Sequence, residues 1–276
     1  MGKGTEMRPF DGSTELAEVF AQGIDGRCEM RKRFYIILFL VVSLLIIHCS
    51  FCFAIRPLYT EDAQVVPLGN LYVESGLLLL TNRDNSGIKE LVTTLRYGFA
   101  LDFEGSLDMP YLSRFSSENN YDGLSDGNVK IKYNFYNGYT DFASFMVGFL
   151  PGNLGTGTTS SHSDINTMLM YANSFDQFSY NLNFGYTFDG DNSGAPLNNY
   201  IIYNASAVRP LTEAMNIMGE IQYSRNTYTL DIVGEAAIGI NYRFNENLTF
   251  DTALGCGLNE NSSSSNFVVG LTYLIL

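Results

Sequence analysis

Apolar and polar residues alternate singly along most of the chain beyond residue 70. In Tyr180-Asn181-Leu182-Asn183-Phe184-Gly185-Tyr186-Thr187-Phe188 every even position is apolar or aromatic, and every odd one is polar or glycine. Successive side chains of a strand face opposite sides of a sheet, so this pattern predicts strands with one apolar and one polar face. The same alternation runs through residues 101–111, where Asp102, Glu104, Ser106 and Asp108 share a face. It recurs at 129–135, with Lys130, Lys132 and Asn134 on the polar side, and at 235–244, with Glu235, Asn241 and Arg243. Such segments predict twelve strands: 70–81, 88–99, 101–111, 127–136, 140–150, 164–174, 177–188, 199–209, 215–224, 230–244, 247–258 and 265–276. Most have the roughly 9–11 residues that a tilted strand needs to cross a bilayer.

The connections carry a second signal. Residues 82–87, 110–126, 151–163, 190–198, 225–229 and 259–264 are polar and often long. Between them lie shorter joins at Ala100, 137–139, 175–176, 210–214 and 245–246. Short periplasmic turns alternating with longer extracellular loops belong to outer-membrane barrels, and an even strand count returns both ends to the periplasm. A soluble β-sandwich shares the alternation of residues but has no need of this asymmetry. The expected fold is therefore all-β: a transmembrane antiparallel up-and-down barrel over residues 70–276, preceded by a signal-peptide helix.

Composition agrees with a lipid-facing exterior. The chain holds 20 Phe and 18 Tyr, many near predicted strand ends (Tyr97, Phe99, Tyr111, Phe135, Tyr171, Phe188, Tyr223, Tyr242), where aromatic girdles are expected. There is no Trp. The last segment, 267–276, resembles the terminal strand by which the barrel-assembly machinery recognises such proteins, although those strands usually finish on Phe and this one on Leu276.

Residues 30–54 read as a secretory signal peptide. Met30-Arg31-Lys32-Arg33 is a positive n-region, residues 34–47 are apolar, and Cys52-Phe53-Ala54 is a small-x-small cleavage site. Residues 1–29 are a polar extension expected to lie upstream of the true start, with Met30 the initiator. The alternative is that residues 34–53 remain as an inner-membrane anchor, being long enough to span a bilayer. His48 and Phe51 precede Cys49 and Cys52, which does not fit a lipoprotein site. Beyond Ala54 only Cys256 remains, so no internal disulfide forms there. Residues 55–276 carry 10 Lys/Arg against 23 Asp/Glu, a net of −13; this argues against nucleic acid as a partner. His162, the lone histidine of that part, leaves no His/Cys cluster for zinc, and no cofactor is expected.

Several short motifs resemble those of the outer-membrane proteins named for the meta-cleavage pathway of phenol degradation. That family's T-x-D-A-x-x-V-P-x-G segment is matched by Thr60-Glu61-Asp62-Ala63-Gln64-Val65-Val66-Pro67-Leu68-Gly69, followed by Tyr72-Val73-Glu74-Ser75-Gly76. Arg96-Tyr97-Gly98-Phe99, Gly123-Leu124-Ser125-Asp126-Gly127 with Lys130-Ile131-Lys132-Tyr133, Leu150-Pro151-Gly152 and Gly270-Leu271-Thr272-Tyr273 follow in the family's order. Ser125 stands where the family tends to have glycine. The resemblance implies an outer-membrane barrel acting in transport, of small hydrophobic or aromatic compounds. The family name comes from association with a pathway and gives no substrate.

If the apolar face meets lipid, the polar face lines the lumen. That assigns Glu74, Arg96, Asp102, Glu104, Asp108, Lys130, Lys132, Asn181, Asn183, Glu220, Glu235, Arg243 and Asp251 inward. These charges form either an ion-paired interior that stabilises the barrel or a constriction that filters solutes. Twelve strands fall between filled eight-stranded barrels and open sixteen-stranded porins, so a narrow, partly occluded pore is expected. Residues 55–69 are either a periplasmic tail or a plug tucked into the lumen. Outer-membrane lipid, the assembly machinery and an unidentified small solute are the expected partners. Two competing readings are a barrel-embedded lipid hydrolase and a structural or adhesive barrel. For the hydrolase, His162-Ser163-Asp164 is the sole candidate, but adjacent loop residues seldom give a nucleophile–base geometry, and a solvated loop histidine is the expectation. N-terminal sequencing of the exported protein is expected to begin at Ile55; a chain that keeps residues 34–53 would instead be the anchored form.

Overall fold

The computed structural model describes residues 59–84, 86–115, 121–152, 162–175, 177–191 and 199–275. The predicted extension, signal peptide and cleavage point lie outside these residues, as do residues 55–58 of the predicted 55–69 segment, Asn85, residues 116–120, 153–161, Asp176, residues 192–198 and Leu276.

Thirteen strands form among the described residues: β1 (Leu71–Thr81), β2 (Gly87–Ala100), β3 (Phe103–Phe115), β4 (Tyr121–Leu124), β5 (Asn128–Asn137), β6 (Asp141–Leu150), β7 (Asp164–Phe175), β8 (Phe178–Phe188), β9 (Tyr200–Pro210), β10 (Met215–Asn226), β11 (Ile232–Arg243), β12 (Leu248–Gly257) and β13 (Ser265–Leu274). Each pairs antiparallel with its sequence neighbour, apart from the exchange around β4, and β1 pairs with β13 over Tyr72↔Leu274 to Thr81↔Ser265. With β2 also paired to β3, the ring closes over twelve strands and β4 stands outside it. Closure matters because hydrocarbon offers backbone N–H and C=O groups no partner, and a closed barrel leaves no edge.

The extra strand comes from the third predicted segment, which runs on past Pro110. Strand β3 pairs with β5 up to Asp108↔Asn128 and with β4 from Tyr111↔Leu124, so Met109 and Pro110 face Ser125, Asp126 and Gly127. Proline has no ladder donor and is tolerated in a sheet at a bulge. Here the Pro110 carbonyl accepts the Ser125 N–H at 3.0 Å inside that irregularity. The predicted 110–126 loop is thus partly a hairpin continuing the wall. At its other end β3 starts at Phe103 rather than residue 101. Asp102 falls in the β2–β3 turn with a left-handed backbone (φ 62°), and its carbonyl accepts the Asn134 N–H.

Burial follows the alternation. Leu182, Phe184, Ile238, Ile240, Leu254 and Leu271 are exposed on the outer wall, whereas Asn181, Asn183, Asn241 and Asp251 are buried behind it. Aromatic rings gather where the short turns lie. Phe103 stacks on Tyr133 with centroids 4.5 Å apart, Phe175 meets Phe178 and Tyr180, and Tyr242 packs edge-on against Phe244. Such a girdle suits the membrane–water interface. Ile238, near the middle of β11 and 58% exposed, tests the lipid-facing assignment. Ile238→Arg is expected to cost roughly 2–4 kcal/mol of folding stability in a bilayer, measured by denaturant unfolding in vesicles. An unchanged unfolding midpoint would place that face elsewhere.

Candidate functional site

Inside the barrel the predicted charges meet in one layer on β1, β2, β3 and β5. Glu104 and Lys132 are directly opposed across β3 and β5, and their charged atoms lie 3.4 Å apart. Arg96 reaches diagonally: Nε and Nη2 donate to the two oxygens of Glu104 at 2.8 and 2.9 Å, and Nη1 donates to Glu74 at 3.0 Å. A planar guanidinium that forks onto one carboxylate and keeps a third donor for another is a strong linker between strands. One register step along, Lys130 sits 3.0 Å from Asp108, which also accepts the Thr94 hydroxyl at 2.9 Å.

The chain's own N-terminal segment lies against this layer. Residues 59–66 cross the inner wall outside any ladder, bent at Ala63–Gln64 where the Gln64 N–H donates to Asp62 Oδ1 at 3.0 Å, and side chains of the wall bond their backbone. Glu220 on β10 accepts the N–H groups of Tyr59 and Thr60, together with the Thr60 hydroxyl. Asn183 on β8 makes a two-way pair with Glu61: its Oδ1 accepts the Glu61 N–H at 2.7 Å and its Nδ2 donates to the Glu61 carbonyl at 2.9 Å. Lys132 donates to the Asp62 carbonyl at 3.1 Å, Asn134 and Ser144 both donate to the Ala63 carbonyl, and Glu104 accepts the Val66 N–H at 2.9 Å.

Side chains of the segment add two further anchors. The Glu61 carboxylate lies 3.3 Å from Lys130, and Lys130, helped by Lys132 and Arg96, holds that carboxyl well below the usual carboxylate range. Burial pushes the neighbouring Asp62 carboxyl up. Ala63 is fully buried against Met146, Met170 and Ala172. The far end is clamped by backbone. The Gly69 N–H donates to the Gly98 carbonyl at 2.8 Å, and the Gly98 N–H donates to the Asn70 carbonyl at 3.1 Å. A Cβ on residue 98 would fall 2.3 Å from the Pro67 carbonyl oxygen and 2.4 Å from that of Val66, so the approach requires glycine. Between the segment and β1–β3, β12 and β13 remains a cavity of about 480 Å³, whose apolar lining includes Tyr72, Leu78, Val92 and Val268.

Of the sequence-predicted set, Glu74, Arg96, Glu104, Asp108, Lys130 and Lys132 are brought together, and Asn183 and Glu220 join them through the segment. Asp251 is buried on β12 beside Gly270, and Asn181 is buried on β8. Glu235 lies toward the long-loop end, where it accepts from Ser263 and Asn266. Arg243 sits at the opposite rim and donates to the Glu213 carbonyl. Asp102 is a correction, since the turn leaves it exposed, outside the charged layer. Sequence reasoning did not select Asn134, Ser144 or Ala63. Their signal was present as repeated inward amides and as one small residue between bulkier neighbours. His162 is also a correction: it is half-buried, with Nε2 2.8 Å from Asp189 and 3.9 Å from Asp164. Those three residues could hold a metal ion, but a His–carboxylate bond that ties two loop ends together accounts for them equally well.

No protein-family model and no curated protein matches the chain. Solved structures do share its fold. An outer membrane channel from Pseudomonas putida F1 aligns with a TM-score of 0.57 at 12% identity, over 79% of this chain and 100% of that one. The NanC porin aligns with a TM-score of 0.54 at 12% identity, over 74% and 98%. The KdgM porin, in complex with disordered oligogalacturonate, gives 0.54 at 12% identity, over 74% and 99%. At these identities the similarity establishes the fold, which is that of outer-membrane channel barrels.

Arg96→Met removes the cation between two buried carboxylates. It is expected to cost about 3–5 kcal/mol, read as a lowered unfolding midpoint, with Arg96→Lys recovering only part of the loss. A midpoint within error of the wild type would show that the layer does not hold the strands together.

Proposed function

We propose that this protein is an outer-membrane channel for small solutes and that its own residues 59–68 occupy the conducting path. The single observation that carries this reading is the lodging of the chain's own segment in a polar, charge-lined lumen whose outer wall is apolar. A barrel that only anchored or stabilised would gain more from an apolar, side-chain-filled interior, because buried ion pairs are a costly way to fill space. The charged layer therefore acts as the constriction, with Glu74, Arg96, Glu104, Asp108, Lys130 and Lys132 facing the path. Asn181, Asn183, Glu220, Glu235 and Asp251 line it further round.

The solute class is small molecules with an apolar part. Support comes from the cavity beside the segment, where Tyr72, Leu78, Val92 and Val268 adjoin the acidic Glu90 and Asp108. The resemblance to the phenol meta-cleavage family points the same way. We place the barrel in the outer membrane, delivered by the signal peptide, with the short turns and both ends of the barrel on the periplasmic side.

Planar-bilayer recordings test this. Gly98→Val forces the segment away from β2, and the paired change Lys130→Gln with Lys132→Gln removes two of its anchors. Both variants are expected to raise single-channel conductance severalfold over the wild type, within the wide range that loss of a closed state allows. Folded wild type and both variants that all leave the bilayer sealed would defeat the channel reading.

A further inference from the structure

The wall contacts to residues 59–66 fall on the backbone far more than on the side chains. Tyr59, Thr60, Glu61 and Val66 each donate an N–H to a wall carboxylate or amide oxygen. The carbonyls of Glu61, Asp62 and Ala63 each accept from an Asn, Lys or Ser of the wall. The donors and acceptors come from β3, β5, β6, β8 and β10, so they form a strip around much of the inner circumference. An Asn that both accepts from and donates to one residue reproduces the exchange made by a hydrogen-bonded pair in an antiparallel sheet.

From this strip we infer a second property, which rests on reading the lumen as the solute path: the inner wall is a binding site for a peptide backbone that bends once, at the positions of Ala63 and Gln64. The segment is its tethered ligand, and a free acidic peptide of the same form is a ligand in trans. Side-chain selection is confined to few points. Position 63 must be small, because Ala63 is fully enclosed by Met146, Met170 and Ala172. Position 61 is acidic to meet Lys130 at 3.3 Å. Position 60 carries a buried hydroxyl that donates to Glu220, and at the remaining bonded positions the wall meets backbone amides. Its capacity extends past the segment's own bonds: Asn181 Oδ1 and Ser206 Oγ, directly opposed on β8 and β9, are buried without a hydrogen-bond partner among the described residues. They lie in the row that begins at Glu220.

Tethering explains why the site is filled by this segment. Even a flexible short linker supplies an effective concentration in the millimolar range, and here residues 67–70 join the segment directly to β1 and are clamped at Gly98, so a free peptide competes only when the tethered copy is displaced. Two substitutions displace it without touching the wall: Ala63→Trp, too large for its enclosure, and Glu61→Lys, which faces Lys130 with like charge.

The test uses the full folded chain in detergent and a fluorescein-labelled synthetic peptide carrying residues 59–68, followed by anisotropy. The peptide is expected to bind Ala63→Trp and Glu61→Lys at least ~10-fold more tightly than wild type, because only the displaced forms leave the site free. The same peptide N-methylated at the Glu61 and Val66 amides loses two donors and is expected to bind both variants at least ~10-fold more weakly than its parent. Heat-modifiable migration on gels verifies that each variant is folded, and the pair of variants covers the loss of either one. Equal or absent binding to wild type and displaced variants, or indifference to N-methylation, would overturn the peptide site. Bilayer recordings keep the two readings apart. Conducting variants that ignore the peptide retain the channel and reject the site. Sealed variants that bind the peptide retain the site and reject the channel.

Discussion

A backbone placed against hydrocarbon has to satisfy every N–H and C=O within the protein, and in this chain ring closure meets that demand. Pairing of β1 with β13 and of β2 with β3 gives each barrel strand two ladder neighbours. Closure then fixes which side of each strand meets lipid and which meets the interior, since side chains alternate with period two. A slip of β8 by one residue against β7 and β9 would turn Leu182 and Phe184 inward and Asn181 and Asn183 outward. The register is therefore held by solvent preference along its whole length.

Closure also creates an interior too wide for its strands to fill with apolar side chains, and the polar face needs partners there. Part of the need is met within the wall, by Arg96 between Glu74 and Glu104 and by the opposed Glu104–Lys132 pair. The rest is met by residues 59–66. A segment outside any ladder has backbone groups that need partners, and the wall has surplus amides and carboxylates. Each supplies what the other lacks. The segment and the inner face are thus complementary in hydrogen bonding, in charge at Glu61 and Lys130, and in shape at Ala63.

This complementarity ties the barrel's interior to its proposed activity. The contacts that hold residues 59–66 are made by side chains of the wall, mostly to backbone, and lie next to a cavity, whereas the ladders that hold the barrel are backbone to backbone and face lipid. The segment can therefore leave with no strand pair broken. Gly98 is the point at which the two systems touch, because the backbone of Pro67 and Val66 approaches it more closely than a Cβ would allow.

Much of the fold was legible in the sequence, because period-two alternation and turn chemistry are local signals. The twelve predicted segments meet the observed strands within two residues at every end but one. The exception is β3, where Pro110 reads as a terminator yet is absorbed at a bulge opposite Ser125–Gly127, a matter of which partner lies alongside. Asp102 was misread for a similar reason: the alternation continues through it, but the turn needs a left-handed residue there. Inwardness of Glu74, Arg96, Glu104 and Lys132 followed from alternation alone. Which of them pair, and that Asn183, Glu220 and Asn134 hold residues 59–63, followed only from closure of the ring. Local pattern determines the face a side chain takes. Contacts between residues more than a hundred positions apart, such as Tyr59 with Glu220, depend on where the barrel's curvature brings its walls, and no periodicity records that.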